Sequence, residues 1–185
     1  MNIATEKLLD DLVLRTEEII GQAERLKELP MTTLNQRPHA QAWSALECLE
    51  HLNLYGDFYL PEIGKRISER RYPRPASIFR SGWLGNYFAN SMLPKEKLNK
   101  MKTFKDKDPI GSSLDSGTIE RFLQQQRQML RLLMEARQHA DLNRTRTAIS
   151  ISRLIRLKLG DTFRFVIYHN QRHMVQAYRA AGLAL

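Results

Sequence analysis

Apolar residues recur three, four or seven positions apart along four long stretches of this chain, a period that helices satisfy and strands do not. In the first, Leu8, Leu12, Ile19, Ala23 and Leu26 share a face and Pro30 follows, which predicts a helix over residues 3–28. The second opens at Trp43-Ser44-Ala45-Leu46-Glu47, a capping box in which the Ser44 hydroxyl accepts from the amide of residue 47 and the Glu47 carboxylate from that of residue 44. Trp43 and Cys48 are spaced as a hydrophobic staple around it. Ala45, Leu49, Leu52, Gly56, Tyr59, Ile63 and Ile67 then form a narrow seam to about Arg71, before Pro73, with a kink expected at Pro61 because proline lacks a backbone donor. The third helix follows Ser116 or Thr118 and carries Ile119, Phe122, Leu123, Met129, Leu130, Leu133 and Ala136, with Gln126 set in the same face. The fourth follows Gly160-Asp161, where Asp161 suits an N-cap, and presents Phe163, Ile167, Met174, Ala177 and Ala181.

Four such helices with connections of unequal length predict an all-α fold, an antiparallel four-helix bundle forming one domain over residues 1–185. No alternating strand stands out. Roughly 45 residues separate the second helix from the third, too many for a bare loop, so a partly helical insertion is expected there. Phe79, Trp83, Tyr87, Phe88 and Met92 mark its short helix. The segment Ile78–Leu93 should cover an apolar surface of the bundle or form part of a homodimer contact. Shallow membrane binding through Phe79, Trp83 and Phe88 beside Arg80 and Lys95 is the competing expectation.

The net charge of +9 is unevenly spread. Residues 1–64 hold five Lys+Arg and eleven Asp+Glu, residues 65–107 twelve and three, and residues 108–185 twelve and six. The densest basic run, Lys95–Lys107, is also the least periodic and reads as a solvated loop, with a phosphate-binding or acidic-partner surface as the alternative. It lacks the Arg and aromatic spacing of a base-stacking surface, which argues against nucleic acid. Cys48 has no partner in the chain, so an intrachain disulfide and a CxxC zinc or redox motif are excluded and a reducing cytoplasm is the simplest setting. The first residues lack a basic region followed by an apolar one, and no stretch is apolar enough to span a bilayer.

The chemistry lies in the histidines. His169 and His173 are one turn apart, which puts their imidazoles on one helix face, roughly 5 to 6 Å apart at Cβ and able to share a metal. They flank the Ile167 and Met174 seam, beside Val166 and Gln176, and should therefore face a neighbouring helix. His51 lies on a comparable stripe of the second helix with Glu47, Tyr55, Phe58 and Glu62. Three histidines from two helices can supply three ligands of an open site, leaving positions for water or substrate. His39, after Pro38, and His139, near a helix end, are expected at the surface.

Trp43-Ser44-Ala45-Leu46-Glu47-Cys48-Leu49-Glu50-His51-Leu52 resembles the W-S-x-x-E-x-L-x-H-L helix start of the DinB/YfiT-like superfamily of bacterial metalloenzymes, and His169-Asn170-Gln171-Arg172-His173-Met174-Val175-Gln176-Ala177 resembles its closing H-x-x-R-H-x-x-Q-A. Arg37-Pro38 also fits. The resemblance implies a divalent metal held by His51, His169 and His173 at one end of a four-helix bundle, and a thiol-dependent transferase or a hydrolase acting on small molecules. A non-catalytic stress-response or binding module on the same bundle is the alternative. A low-molecular-weight thiol would be a second cofactor. Zn, Ni, Fe(II) and Cu suit three neutral imidazoles about equally. A zincin protease is discounted, because Asn170 stands where its glutamate base would follow the first histidine. Glu47 and Tyr55, and the inward-facing Gln126 and Gln176, are candidates for the layer around the metal, orienting a histidine or contacting substrate. No residue is assigned a catalytic role by sequence.

Overall fold

The computed structural model describes residues 1–69, 71–73, 75–94 and 103–184, apart from the Arg153 side chain. Four long helices build it: α1 (Thr5–Lys27), α3 (Ala45–Glu69), α5 (Gly117–His139) and α6 (Leu159–Ala180), with a short α2 (Met31–Asn35) after Pro30. α5 and α6 each pack against both α1 and α3, so the bundle cycles α1, α5, α3, α6 with α1 and α3 on opposite corners. Every residue of the predicted α3 seam is buried, and α3 continues through Pro61 to Glu69.

Side-chain pairs fix the helix directions. Arg137 meets Asp10, Arg127 meets Glu24 and Lys27 meets Glu120, so α1 and α5 are antiparallel. His51 early in α3 faces His169, whereas Tyr59 further along lies against Phe165, so α3 and α6 are antiparallel too. The other two neighbours are parallel: Asn53 of α3 bonds the Thr118 carbonyl of α5 and Arg71, just beyond α3, pairs with Glu135 late in α5, while Arg15 and Arg25 of α1 reach Gln171 and Tyr178 of α6. The parallel pair α3 and α5 requires a chain return along the bundle, and the long insertion supplies it. These two helices also approach closely at Gly56, where a Cβ would stand 2.0 Å from the Gln125 side chain.

Contrary to the sequence expectation, two small antiparallel sheets are present. β1 (Asn2–Ala4) pairs with β2 (Ile78–Arg80), placing Ile3 opposite Phe79, so the first residues are strand where helix was expected. β3 (Arg146–Ile149) and β4 (Ser152–Lys158) form a hairpin before α6. The hairpin lies along α3: Glu62 accepts from the Ala148 amide at 2.9 Å and the Tyr59 hydroxyl from the Ser150 amide at 3.2 Å. Its tip thereby reaches the level of Tyr55.

The insertion's helix, α4 (Trp83–Met92), packs on α6. Phe79, Ala89 and Met92 are buried there, while Trp83 and Tyr87 stay exposed. Asp161 holds this contact together. It is not an N-cap, because β4 carries the chain to Lys158 and α6 begins at Leu159. From the first turn its carboxylate accepts from the Gly82 amide at 2.8 Å, from Ser81 Oγ, and from Arg164 at 3.2 Å. Arg164 is buried and also donates to Ser81 Oγ, Asn86 and Asn90, each at 3.1 Å. Breaking such a pair strands a buried charge. Arg164→Met should cost about 3–5 kcal/mol in a denaturant titration, and a loss below about 1 kcal/mol would show that solvent reaches Asp161.

Candidate metal centre

His51 sits in the second turn of α3, oriented by the capping box below it: Glu47 accepts from the Ser44 amide at 2.9 Å and the Glu47 amide donates to Ser44 Oγ at 3.2 Å. His169 and His173 project from successive turns of α6 toward it. One ligand nitrogen from each of the three rings lies within 4.8 Å of the others, and His51 Nε2 is 3.2 Å from His169 Nε2. Two ligands about 2.0–2.2 Å from one ion, at octahedral to tetrahedral angles, stand about 3.0–3.5 Å apart. The His51–His169 pair has that spacing, and three imidazoles within 4.8 Å are a donor set that suits a divalent cation; no Cys, Asp or Glu joins this cluster among the described residues.

The opposite ring nitrogens of His51 and His173 are occupied. His51 Nδ1 donates to the Lys107 carbonyl at 2.7 Å, and His173 Nδ1 to Gln176 Oε1 at 3.0 Å. A carbonyl oxygen only accepts, so the proton belongs on Nδ1 and the Nε2 lone pairs turn toward the common point. His51 and His169 are buried, 2% and 6% exposed. Burial lowers the pKa of His51 to about 4. It also holds His169 and His173 well below the ordinary value, assisted by repulsion between the rings and from Arg172. All three are thus neutral, ligand-ready imidazoles at pH 7.

Aromatic rings wall the cluster. Trp43 lies 4.7 Å from His51 and 5.7 Å from His173 between centroids, which is where the ring of the expected staple is used. Tyr55 is 5.0 Å from His51 and 4.8 Å from His169. Burial raises its phenol to about 12, so it keeps its proton. Cys48 is buried and its thiol is pushed far up, which removes it as a nucleophile.

The remaining candidates divide. Glu47 does not reach His51. It pairs with Arg37 and accepts from the Gly111 amide at 2.7 Å. Its role in the site is indirect, because Gly111, at φ +83°, closes the loop that carries the Lys107 carbonyl to His51. Gln176 contacts a histidine, whereas Gln126 is buried and accepts from Asn170 Nδ2 at 2.9 Å. Sequence reasoning read Lys95–Lys107 as a solvated loop and missed its part in the site. Residues 95–102 of the basic run lie outside the described residues, but Lys105–Lys107 form a 3₁₀ turn against the centre, and Trp43 Nε1 donates to Asp108 at 3.0 Å. A backbone carbonyl has no sequence signature, so nothing local could have marked position 107. His39 is exposed and His139 half-buried, both away from the cluster.

Helix packing and imidazole geometry together define a four-helix-bundle protein with a buried three-histidine cluster between α3 and α6. The chain belongs to the DinB superfamily, whose family model matches residues 22–177. Its fold is similar to that of YfiT from Bacillus subtilis, described as a probable metal-dependent hydrolase with an unusual four-helix bundle topology, at 13% identity and a TM-score of 0.59 over 98% of this chain and 91% of that one. No curated protein matches the chain. Among the described residues, no helix is long and apolar enough to cross a membrane.

The lowered histidine pKa values carry a sign. Above about pH 6.5 these rings are neutral in folded and unfolded chains alike and leave stability independent of pH. As pH falls from there toward about 4, the unfolded chain takes up protons that folded His51 refuses, and stability is lost through that window. Denaturation midpoints of metal-free protein should fall across it, and His51→Gln should flatten the fall. A wild-type midpoint that does not move would place protonated rings in the fold.

Proposed function

We propose that this chain is a divalent-metal-dependent hydrolase of small molecules, with His51, His169 and His173 as the metal ligands. The convergence of three neutral imidazoles, two of them with Nδ1 capped by an acceptor, carries the reading. When bound, a divalent cation supplies Lewis acidity that polarises a substrate carbonyl and acidifies water at neutral pH. Around it the chain's own residues orient the rings through Lys107 O and Gln176, limit bulk water with Trp43 and Tyr55, and offer the protonated Tyr55 phenol as a hydrogen-bond donor on the cleft side. The description of YfiT as a probable metal-dependent hydrolase favours hydrolysis.

A second reading, transfer of a low-molecular-weight thiol to an electrophile, is kept by the composition of the cluster. No carboxylate stands in it as a general base among the described residues, and a thiol ionises at a metal more readily than water does. A bundle that binds without chemistry is the third outcome.

Elemental analysis of untagged protein, followed by ester, amide and thiol-transfer assays of the loaded and chelated forms, separates the three. We expect one metal per chain, activity that follows the metal, and at least about a hundredfold weaker metal binding in His169→Ala, beyond the 10–100-fold typical of losing an outer partner such as Gln176. Equal metal binding by His169→Ala would overturn the ligand assignment. Because α1, α3, α5 and α6 bury a core without the metal, chelation should leave the chain folded, lowering stability only by the linkage contribution of about 2.7 kcal/mol at a hundredfold excess over Kd. Unfolding on chelation would instead mark a structural site.

A further inference from the structure

A cleft of about 270 Å³, lined by Tyr55, Phe104, Asp106, Lys107, Ser150 and Ile151, opens beside the histidine cluster. One wall is the loop that supplies the Lys107 carbonyl to His51, and the other is the tip of the β3–β4 hairpin. We infer that this cleft selects a small-molecule substrate with a carboxylate held by the Lys107 ammonium and an apolar portion lodged between Phe104 and Ile151. The inference rests on the hydrolase reading for the identity of the reacting group, but the binding preference follows from the cleft alone.

Lysine side chains at a surface normally extend into water, whereas that of Lys107 is 19% exposed. Its ammonium lies 5.9 Å from the Tyr55 ring centroid, and that ring is 4.8 Å from the His169 ring. A cation is therefore fixed within one small molecule's length of the candidate centre. Its ionic partner is Asp106 at 3.6 Å, a carboxylate 74% exposed. With its acidic partner exposed, a pair of that length is weak, so a ligand carboxylate can take the place of Asp106. Asp108, the other nearby acid, is engaged by Trp43 Nε1. Phe104 and Ile151 are more than half exposed, one on each wall, and a ligand between them would remove apolar surface from water. A cation beside two unpartnered apolar side chains recognises an anion with a hydrophobic body. A cationic substrate would find only Asp106, already beside an ammonium.

The test is an NMR titration of the full chain, metal-free and zinc-loaded, with 3-phenylpropionate, its neutral amide 3-phenylpropanamide and the cationic 3-phenylpropylamine, repeated on Lys107→Gln. We expect the carboxylate to bind about tenfold more tightly than the amide in both states, and Lys107→Gln to bring the two within about twofold. Phe104→Ala should weaken both probes alike. A preference that survives Lys107→Gln, tighter binding of the amine, or no binding in either state would overturn the inference. Metal affinity, read separately by chelator competition, reports on the histidines, so failure of the hydrolase reading and failure of the cleft assignment are distinguishable.

Discussion

Three imidazoles with little access to water cannot all carry protons when two of their nitrogens stand 3.2 Å apart. Desolvation and mutual repulsion both favour the neutral rings, and a neutral ring needs an acceptor for its one N–H. The surroundings of the cluster answer that need. The Lys107 carbonyl and Gln176 take the outward N–H groups of His51 and His173, leaving lone pairs directed at a common point. On the proposed reading, a cation sharing these lone pairs would couple the packing of α3 against α6 to metal chemistry.

The support extends outward through one carboxylate. Glu47 caps α3, pairs with Arg37 and fixes the Gly111 amide, while Trp43 anchors Asp108 and lies over His51 and His173. The first turn of α3 thus sets both the position of His51 and the path of the loop that orients it. A change at Glu47 would disturb the helix start and the histidine tautomer together, although its carboxylate touches no imidazole. On the far side, the buried Asp161–Arg164 pair ties α4 and the start of α6 to the bundle, and the hairpin before α6 rests on Tyr59 and Glu62 of α3. These contacts set the register along α6 from which His169 and His173 project.

The helices and the histidine stripe were legible because both depend on short-range periodicity: His169 and His173 share a face of any helix, and the Ser44–Glu47 capping box is a local device. Relations between distant segments were not. That α3 and α5 run parallel depends on how the chain connects them, and no pattern within either helix encodes it. The run Arg146–Lys158 alternates poorly because Leu154 is exposed while Thr147, Ala148 and Ile149 are all buried, so its strands gave no clean two-residue period. Asp161 has the composition of an N-cap, but a strand delivers the chain to Lys158 and leaves the carboxylate free to hold Gly82, Ser81 and Arg164. Gln126 and Gln176 both point inward by period. Which one meets a histidine depends on the neighbouring helix.

The central claim is that one divalent ion is held by these three imidazoles. Zinc K-edge X-ray absorption of stoichiometrically loaded full-length protein tests it most directly. The account predicts three imidazole nitrogens at about 2.0–2.1 Å, with the rest of the shell filled by solvent oxygen. A sulfur scatterer near 2.3 Å, or multiple-scattering amplitude for fewer than three imidazoles, would contradict it.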